Sequence, residues 1–530
     1  MLELILTPRM KRKIEIYDTT LRDGTQGTGI TLSLLDKLRI AEKLDAFGIG
    51  FIEGGWPGSN PKDAGFFREA AKRSWTNAKI SAFGMTRRRG VDVAEDSQVQ
   101  SLLDACTPVV ALVGKTWKIH VTEVLGVTPD ENLKMISETV AHLCAQGREV
   151  FYDAEHFFDG FRDDPDYALA TLDAAQSAGA SALVLCDTNG GSLPRFIGEV
   201  VARARRKGVK LGIHTHNDSG LAVANALAAV QAGAEQVQGT INGYGERVGN
   251  CNLITLIAAL ELKLDMECVP RLEHLRDLSV FVDELANVPQ NIRAPFVGRA
   301  AFTHKGGLHI HAVQKLSGSY EHIEPAKVGN SQTFAISDMS GKSNVLAKAE
   351  AFGIKLAKDA PEATAILEQI KQSEAMGFEY ETAEASFELL IRRVLGQDTS
   401  IFDLKEYHCY FRRTKKKADP CEATVKLLVG GVPEYTVAEG DGPVNALDVA
   451  LRKALSPFYP WVGQIRLCDY KVRIVDGSHG TTARTRVHIV TECGGRTWGT
   501  VGVSDNIIEA SWQALVESIE FEALRRNEVV

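Results

Sequence analysis

The sequence contains no pair of cysteines in a C-x-x-C arrangement, although nine cysteines are scattered along the chain. An odd and unpaired set of this kind fits poorly with a disulfide framework. We therefore expect reduced thiols, which are typical of a protein in the cytoplasm.

Long apolar runs are also missing. No segment approaches the roughly 20 apolar residues that a membrane-spanning helix needs. The N-terminal sequence MLELILTPRMKRK has an apolar stretch that is too short for a signal peptide, and its charges lie on the wrong side. We expect a soluble protein that has no membrane partner.

An excess of positive charge is absent as well. The chain has 60 Lys and Arg against 68 Asp and Glu, a net charge of -8. Such a balance carries no electrostatic signature of nucleic-acid binding. The short basic runs 87–89 and 415–417 are interpreted as solvated surface.

Short apolar runs alternate with helical periodicity through the first 260 residues. The segment SLLDKLRIAEKLDAFG at 33–48, for example, has helical spacing and ends at Gly48. Strand–helix alternation implies parallel strands with right-handed crossovers, and eight units in about 250 residues match an α/β fold of the (β/α)8 TIM barrel type. The strand-like runs are 14–18, 50–54, 80–84, 108–113, 149–153, 182–186, 211–215 and 236–241.

A doubly wound open sheet is the alternative architecture. Its nucleotide-binding form favours a glycine-rich phosphate loop after the first strand, where this chain has TTLRDGTQG. A barrel places its chemistry at the C-terminal ends of the strands, which favours the barrel here. Polar residues at or just beyond predicted strand ends are Asp23, Glu53, Glu155, Asp187, His214 and Asn242.

We predict three domains: a catalytic barrel at 10–275, helical linker subdomains at 276–400 that contribute to the active site, and a regulatory α+β domain at 403–530. The last region has strand-like runs at 406–411, 421–429, 468–475 and 485–491, with helices at 443–455 and 506–521. Each half offers strands followed by a helix after a short polar turn, which suggests an internal repeat.

The motif HTHND places His214 and His216 at alternate positions of a strand, so both imidazoles face one side. Asp23 in DTTLRDGTQG and Asn250 in GERVGNCNL can complete a ligand set. Two imidazoles, a carboxylate and an amide oxygen suit Mg²⁺, Mn²⁺ or Zn²⁺ in an open catalytic site. The alternative is a histidine pair that is satisfied by backbone carbonyls or water.

Three further residues can act on a substrate beside that metal. Arg22 can grip a carboxylate or a ketone oxygen, or it can form only a structural ion pair. Glu155 in FYDAEHF can act as a base or order a water molecule. Thr188 in CDTNG can hydrogen-bond a substrate carboxylate, although helix capping is the commoner role of a single threonine.

Five motifs in this order resemble the family of 2-isopropylmalate, homocitrate and citramalate synthases: DTTLRDGTQG, HTHND, GERVGN, FTHKGGLHIHA and YEHIEPAKVGN. These enzymes carry out acyl-CoA-dependent Claisen condensations on a TIM barrel. The stretches DGTQGTGI and FIEGGWPGSNPKD are most similar to the long citramalate synthases. Thr25 stands where 2-isopropylmalate synthases typically carry Glu.

The resemblance implies roles for individual residues. Arg22 matches an arginine that polarises the 2-oxo acid, Glu155 an acidic active-site residue, and Thr188 a threonine that contacts the substrate carboxylate. His309 and Tyr320 match catalytic residues that reach the active site of a partner subunit, which implies a homodimer. The implied ligands of a divalent metal are Asp23, His214, His216 and Asn250.

The implied reaction joins acetyl-CoA, as cosubstrate, to pyruvate and hydrolyses the thioester to give (R)-citramalate and CoA. It is the first step of the pyruvate route to isoleucine, and isoleucine is the implied effector. His309 is the candidate for the proton transfers. The preference for pyruvate rests on motif resemblance, with the bulky Trp56 close to a strand end.

Several alternatives remain open at the level of sequence. The acceptor can be 2-oxoisovalerate, as in 2-isopropylmalate synthases, or the substrate of a homocitrate synthase. Hydroxymethylglutaryl-CoA lyases share the metal motif but use a cysteine in the loop after strand eight, where Cys251 is interpreted as packing. A non-catalytic amino-acid sensor is the alternative from another class.

Overall fold

The computed structural model describes residues 11–304, 309, 312–313, 315–334, 342–357, 360–413, 420–475, 480 and 482–526. These residues form two compact units. The first runs through Phe302 and includes His322–Ser331, and the second consists of Thr303–Glu321 and the chain from Gln332 onward. The boundaries of the three predicted domains stay a prediction.

The first unit contains a closed barrel of eight parallel strands, so the predicted TIM barrel is confirmed. Each strand pairs with the next along the chain, and β8 closes on β1. Every predicted run becomes a strand, with ends that differ by at most two residues. The strands are β1 Glu15–Asp18, β2 Phe51–Gly55, β3 Lys79–Met85, β4 Val109–Lys115, β5 Glu149–Glu155, β6 Ala182–Asp187, β7 Lys210–Thr215 and β8 Gln236–Gly239.

Aromatic side chains fill the interior of the barrel. The rings of Tyr17, Phe51 and Phe151 contact one another with centroids 5.0 to 6.1 Å apart. They point inward because alternate residues of a barrel strand face the interior. This packed layer closes the barrel from below and leaves the C-terminal strand ends for polar side chains.

Helices between the strands surround the barrel. Ser33 and Asp36 form a reciprocal capping box at the start of α1, and Gly48, with φ 104°, ends it as predicted. A side chain at Gly48 would collide with Pro270. The helices of this unit are α1 Leu34–Phe47, α2 Pro61–Ala70, α3 Ser97–Asp104, α4 Pro129–Ala145, α5 Phe157–Asp163, α6 Pro165–Ser177, α7 Pro194–Ala204, α8 Ala222–Ala232, α9 Leu253–Lys263 and α10 Leu275–Ala286.

The interpretation of the basic run 87–89 as solvated surface is wrong for Arg87, which is buried. Its guanidinium donates to Glu138 at 2.6 Å and to Glu131 at 2.9 Å, both on α4. The two carboxylates compensate the buried charge, and the pairs tie the loop after β3 to that helix. The second basic run, 415–417, lies outside the described residues.

The second unit begins with a short parallel pair, β9 Thr303–His304 and β10 Thr333–Phe334. Three helices follow, which agrees with the predicted helical character of the linker region. They are α11 Lys342–Ala351, α12 Pro361–Ala375 and α13 Glu384–Val394.

The C-terminal region contains two three-stranded antiparallel sheets, each followed by one helix, so the two halves share the predicted topology. Two of the strands, β13 and β16, were not among the predicted runs. Strand β13 is largely exposed and lacks a continuous apolar face, and β16 contains glycines that let Ala510 and Thr382 approach closely. The elements are β11 Asp403–Tyr410, β12 Cys421–Val429, β13 Val432–Gly440, α14 Pro443–Leu455, β14 Arg466–Ile474, β15 Thr485–Cys493, β16 Arg496–Ser504 and α15 Ile507–Arg525.

All nine cysteines belong to the described residues, and none of them forms a disulfide bond in this structure. Within the part of the chain that the structure describes, no helix has both the length and the apolar character needed to cross a bilayer.

Candidate active site

A cavity of about 470 Å³ opens at the C-terminal ends of the barrel strands. It collects side chains that are far apart in the sequence, as expected for a barrel. The predicted site residues that line it are Arg22, Asp23, Glu155, Thr188, His214 and His216.

Asp23, His214 and His216 form a buried cluster whose potential ligand atoms all lie within 4.8 Å of one another. The Nε2 atoms of the two histidines are 3.3 Å apart, and Oδ2 of Asp23 lies 3.4 Å from Nε2 of His214. Strand β7 presents both imidazoles on one side because its side chains alternate. The donors thus converge on one point, as a metal site requires.

The protonation states of His216 and Asp23 suit a cation. Burial, reinforced by the neighbouring His214, lowers the pKa of His216 to about 3. Burial opposes ionisation of Asp23, but Arg22 and His214 outweigh it and hold the pKa of that carboxyl well below its usual range. A neutral imidazole and an ionised carboxylate are the forms that bind a metal.

Asn250 lies beside His216, to which its backbone is bridged. Its amide nitrogen donates to the carbonyl of Tyr244 at 3.0 Å, which turns Oδ1 the other way. Among the described residues, neither Oδ1 of Asn250 nor Nδ1 of His216 has a hydrogen-bond partner, although both atoms are buried. An orphaned amide oxygen next to this cluster fits the oxygen-and-nitrogen donor set of a divalent cation.

Arg22 lines the cavity, and Glu53 and Phe83 fix its guanidinium. Its Nε–H donates to Oε2 of Glu53 at 2.6 Å, and its guanidinium lies 3.9 Å from the ring centre of Phe83. Glu53, which is completely buried, also accepts hydrogen bonds from Tyr17 and Thr19. Arg22 therefore forms the structural ion pair and lines the cavity, so its two predicted roles are compatible.

Glu155 forms an ion pair with Lys115, a residue that the sequence reasoning missed. The two residues end β5 and β4 at directly paired positions. Lys115 also lines the cavity. A lysine that ends an otherwise apolar barrel strand was the available signal, but its partner depends on strand register.

Thr188 lies in the cavity wall and does not cap the next helix, α7, which starts at Pro194 after Leu193. Its Oγ1 accepts the backbone N–H of His156 at 2.9 Å, at the start of α5. Because the oxygen accepts this bond, the hydroxyl proton can be donated elsewhere. Arg247 binds the carbonyl of Thr188 at 2.8 Å and holds Asp218 through two hydrogen bonds.

Residues 13–282 match the HMGL-like family model, residues 296–377 the homocitrate synthase post-HMGL domain-like model, and residues 381–522 the LeuA allosteric (dimerisation) domain model. The (R)-citramalate synthase of Aquifex aeolicus is 51% identical over 524 residues, which cover 98% of this chain and 99% of that protein. The (R)-citramalate synthase of Synechocystis is 52% identical, with 96% of each chain covered.

The chain belongs to the (R)-citramalate synthase family. A 2-isopropylmalate synthase of Sediminispirochaeta smaragdinae is more distant, at 31% identity over 538 residues that cover 98% of this chain and all of that protein. The members of this family are acyl-transferring condensing enzymes, and the predicted class of protein is confirmed.

Thr25 binds within its own loop. Its hydroxyl donates to the carbonyl of Arg22 at 2.8 Å. The side chain also lines the cavity. At this position a neutral side chain, hydrogen-bonded within its own loop, lies close to Asp23 in the sequence.

His309 and Tyr320 belong to the second unit, whereas the metal cluster belongs to the first. Their rings stack at a centroid distance of 4.2 Å, and both side chains are exposed. Residues 305–308, 310 and 311 of the motif FTHKGGLHIHA lie outside the described residues. The catalytic role of His309 and Tyr320 stays a prediction.

Two polar residues at strand ends serve the surrounding structure. Asp187 accepts a hydrogen bond from Ser192 at 2.8 Å, and Asn242 donates to Asp283 on α10 at 2.6 Å.

Cys251 is completely buried in the barrel core, and burial raises the pKa of its thiol to about 12. The interpretation of Cys251 as packing is therefore supported, because a neutral buried thiol is a poor nucleophile.

Proposed function

We propose that this protein condenses acetyl-CoA with pyruvate and hydrolyses the product thioester, giving (R)-citramalate and CoA. The observation that carries the proposal is the position of Arg22 directly beside the Asp23, His214 and His216 cluster, at the mouth of one barrel. The near full-length identity to (R)-citramalate synthases supports pyruvate over 2-oxoisovalerate as the acceptor.

Asp23, His214, His216 and Asn250 would hold a divalent cation. Mg²⁺ and Mn²⁺ suit these donors best, and Zn²⁺ remains compatible with them. Such a cation supplies a Lewis acid for the oxygens of the 2-oxo acid when it is bound.

The protein side chains around that position orient the acceptor. Nε of Arg22 is engaged by Glu53 and Nη1 lies 3.4 Å from Oδ2 of Asp23, so the terminal nitrogens bind the ketone or carboxylate oxygen of pyruvate directly beside that carboxylate. Thr188 donates its hydroxyl proton to the substrate carboxylate. These contacts leave the ketone carbon exposed to attack and place a fixed positive charge where negative charge develops.

The reaction then proceeds by proton and carbon transfer. A base removes one proton from the methyl group of acetyl-CoA, and the new carbanion attacks the ketone carbon of pyruvate. The ketone oxygen becomes an alkoxide, which Arg22 stabilises and which then takes up a proton. Water cleaves the thioester, the carbonyl–sulfur bond breaks, and CoA leaves as the thiol.

We assign the proton transfers to His309, with Tyr320 stacked on its ring. Glu155 supports them from the barrel, where Lys115 holds its carboxylate. Because His309 lies in the segment after the barrel, the resemblance to the family implies that it serves the site of a second subunit in a homodimer.

The deciding experiment measures release of free CoA thiol from acetyl-CoA by the purified full-length protein with Mg²⁺ or Mn²⁺. We expect release with pyruvate and much slower release with 2-oxoisovalerate. Equal or faster release with 2-oxoisovalerate would contradict the assignment of the acceptor. No release with any 2-oxo acid would contradict the enzymatic function itself.

The metal assignment has its own test. H214A and H216A should each abolish turnover and Mn²⁺ binding, whereas H274A, at a half-exposed histidine before α10, should leave both unchanged. Wild-type activity in both cluster variants would refute the metal site.

The C-terminal domain supports a regulatory proposal. Its match to the LeuA allosteric (dimerisation) domain model favours a homodimer and an amino-acid effector, for which we propose isoleucine as the end product of the pathway. Isoleucine should lower the rate of CoA release by the full-length enzyme. An unchanged rate would remove this part of the proposal. We place the enzyme in the cytoplasm, in keeping with its free thiols.

A further inference from the structure

A buried amide connects the histidine cluster to a carboxylate on the far side of the barrel interior. Gln238 on β8 lies directly beside His214 in the paired strands β7 and β8. Its Oε1 is 2.9 Å from Nδ1 of His214, and its Nε2 donates to Oδ1 of Asp153 at 3.0 Å. All three residues are buried.

Asp153 determines which way the amide points. In its ionised form the carboxylate only accepts hydrogen bonds, so it then faces the NH₂ group of Gln238. The amide oxygen is then left to face His214, and a carbonyl oxygen can only accept. Nδ1 of His214 must therefore carry a proton, and in the neutral ring Nε2 then presents its lone pair toward Asp23 and His216.

We propose that Gln238 is a positioning residue, which selects the metal-binding tautomer of His214 and fixes the orientation of its ring. The inference rests on the proposed metal site but adds a residue outside the predicted ligand set. Ligating histidines generally need such a partner on their other ring nitrogen, and its loss weakens metal affinity by about 10- to 100-fold.

A matched control lies two residues away on the same strand. Gln236 also faces the barrel interior and is completely buried, but it pairs with Gly212 rather than with a histidine. Its amide makes one long contact of 3.5 Å to Glu15, and its oxygen is unpartnered among the described residues. Substitution of Gln236 thus tests whether any change of a buried glutamine in β8 disturbs the site.

The test measures Mn²⁺ affinity of the metal-free full-length protein by calorimetry, with thermal unfolding followed in parallel. Q238M, which has similar volume but no amide, should weaken Mn²⁺ binding by about 10- to 100-fold. Q236M should bind Mn²⁺ as the wild type does. If Q238M does not fold, Q238N replaces it, because the shorter amide cannot reach both Asp153 and His214.

A double variant separates positioning from packing. D153N/Q238E keeps the net charge and reverses the donor and acceptor between these two residues, while a carboxylate oxygen still accepts the Nδ1–H of His214. It should bind Mn²⁺ with close to wild-type affinity. Rescue of this kind is expected only if the hydrogen-bond acceptor, and not the glutamine as a filler of space, is what His214 requires.

Three results would overturn the inference: wild-type affinity in Q238M, equal weakening in Q236M, or no rescue in D153N/Q238E. Its failure is distinguishable from failure of the proposed metal site. If H214A still binds Mn²⁺ like the wild type, the site itself is wrong. If H214A loses binding while Q238M retains it, only the role of Gln238 is wrong.

Discussion

Glu53 fixes Arg22 through a hydrogen bond of 2.6 Å from Nε to Oε2, and the carboxylate that does so is completely buried. Nε of the guanidinium thus fixes its orientation, while Nη1 lies 3.4 Å from Oδ2 of Asp23 at the cavity. Burial opposes the charge of Arg22, but Glu53 and Asp23 outweigh it and raise the pKa of the guanidinium. The positive charge beside the metal cluster is permanent.

E53Q should lower kcat/KM for pyruvate by about 10- to 100-fold. A charge-assisted hydrogen bond contributes about 1.5–3 kcal/mol, and a neutral amide provides only part of it. Steady-state kinetics with varied pyruvate would measure the loss. E42Q, at an exposed ion pair with Arg73, is the matched control and should behave as the wild type. Unchanged kinetics in E53Q would show that Arg22 needs no anchor.

K115M should reduce kcat by about 10- to 100-fold, since Glu155 then loses the group that holds its carboxylate in place. Lys115 is mostly buried, so water replaces its charge only poorly. CoA release at saturating substrates is the measurement. K118M removes the more exposed pair with Asp164 and should have little effect. If both variants are equally active, the Lys115–Glu155 pair has no part in turnover.

W56L should shift acceptor preference toward larger 2-oxo acids. Trp56 lines the cavity, donates its indole N–H to Gln98 at 3.1 Å and packs edge-on against Phe83. Removing this bulk should raise the ratio of kcat/KM for 2-oxoisovalerate to that for pyruvate by about 10- to 200-fold. The same ratio in W75L, at a tryptophan bound to the Ala70 carbonyl, should stay at the wild-type value. An unaltered ratio in W56L would place selectivity elsewhere.

D18N should remove a specific part of the dependence of stability on pH. Burial raises the pKa of Asp18 from 3.8 to about 7, although hydrogen bonds from Thr20 oppose it. A raised pKa means that the folded state binds the proton more tightly. This contribution to stability is complete below the unfolded value near pH 4 and is lost as the pH rises through about 7.

The loss amounts to about 1.4 kcal/mol per pH unit within that window. Melting temperatures between pH 5 and pH 8 would measure it. The wild type should lose stability relative to D18N as the pH rises, and the difference should level off above pH 7. D104N, at an exposed aspartate of α3, should follow the wild type. Parallel curves for the wild type and D18N would contradict the raised pKa.

Local patterns in the sequence predicted most of the barrel. All eight strands were found from runs of apolar and β-branched residues, and the end of α1 from Gly48. Strand β13 is not predicted from the sequence, because a largely exposed strand has no continuous pattern of apolar residues. The prediction that Arg87 is solvated is wrong, because a run of three arginines does not reveal that Arg87 has two carboxylate partners on α4.

By itself, the sequence determined which residues meet at the mouth of the barrel. The spacing of His214 and His216, with Asp23 after the first strand, already predicts convergence, because alternation within a strand is a local property of the backbone. Which side chains support that chemistry was decided only by tertiary structure. Glu53 behind Arg22, Lys115 on Glu155 and Gln238 beside His214 join different strands, 31, 40 and 24 residues apart. Strand register sets such pairs, and register depends on how the whole barrel closes.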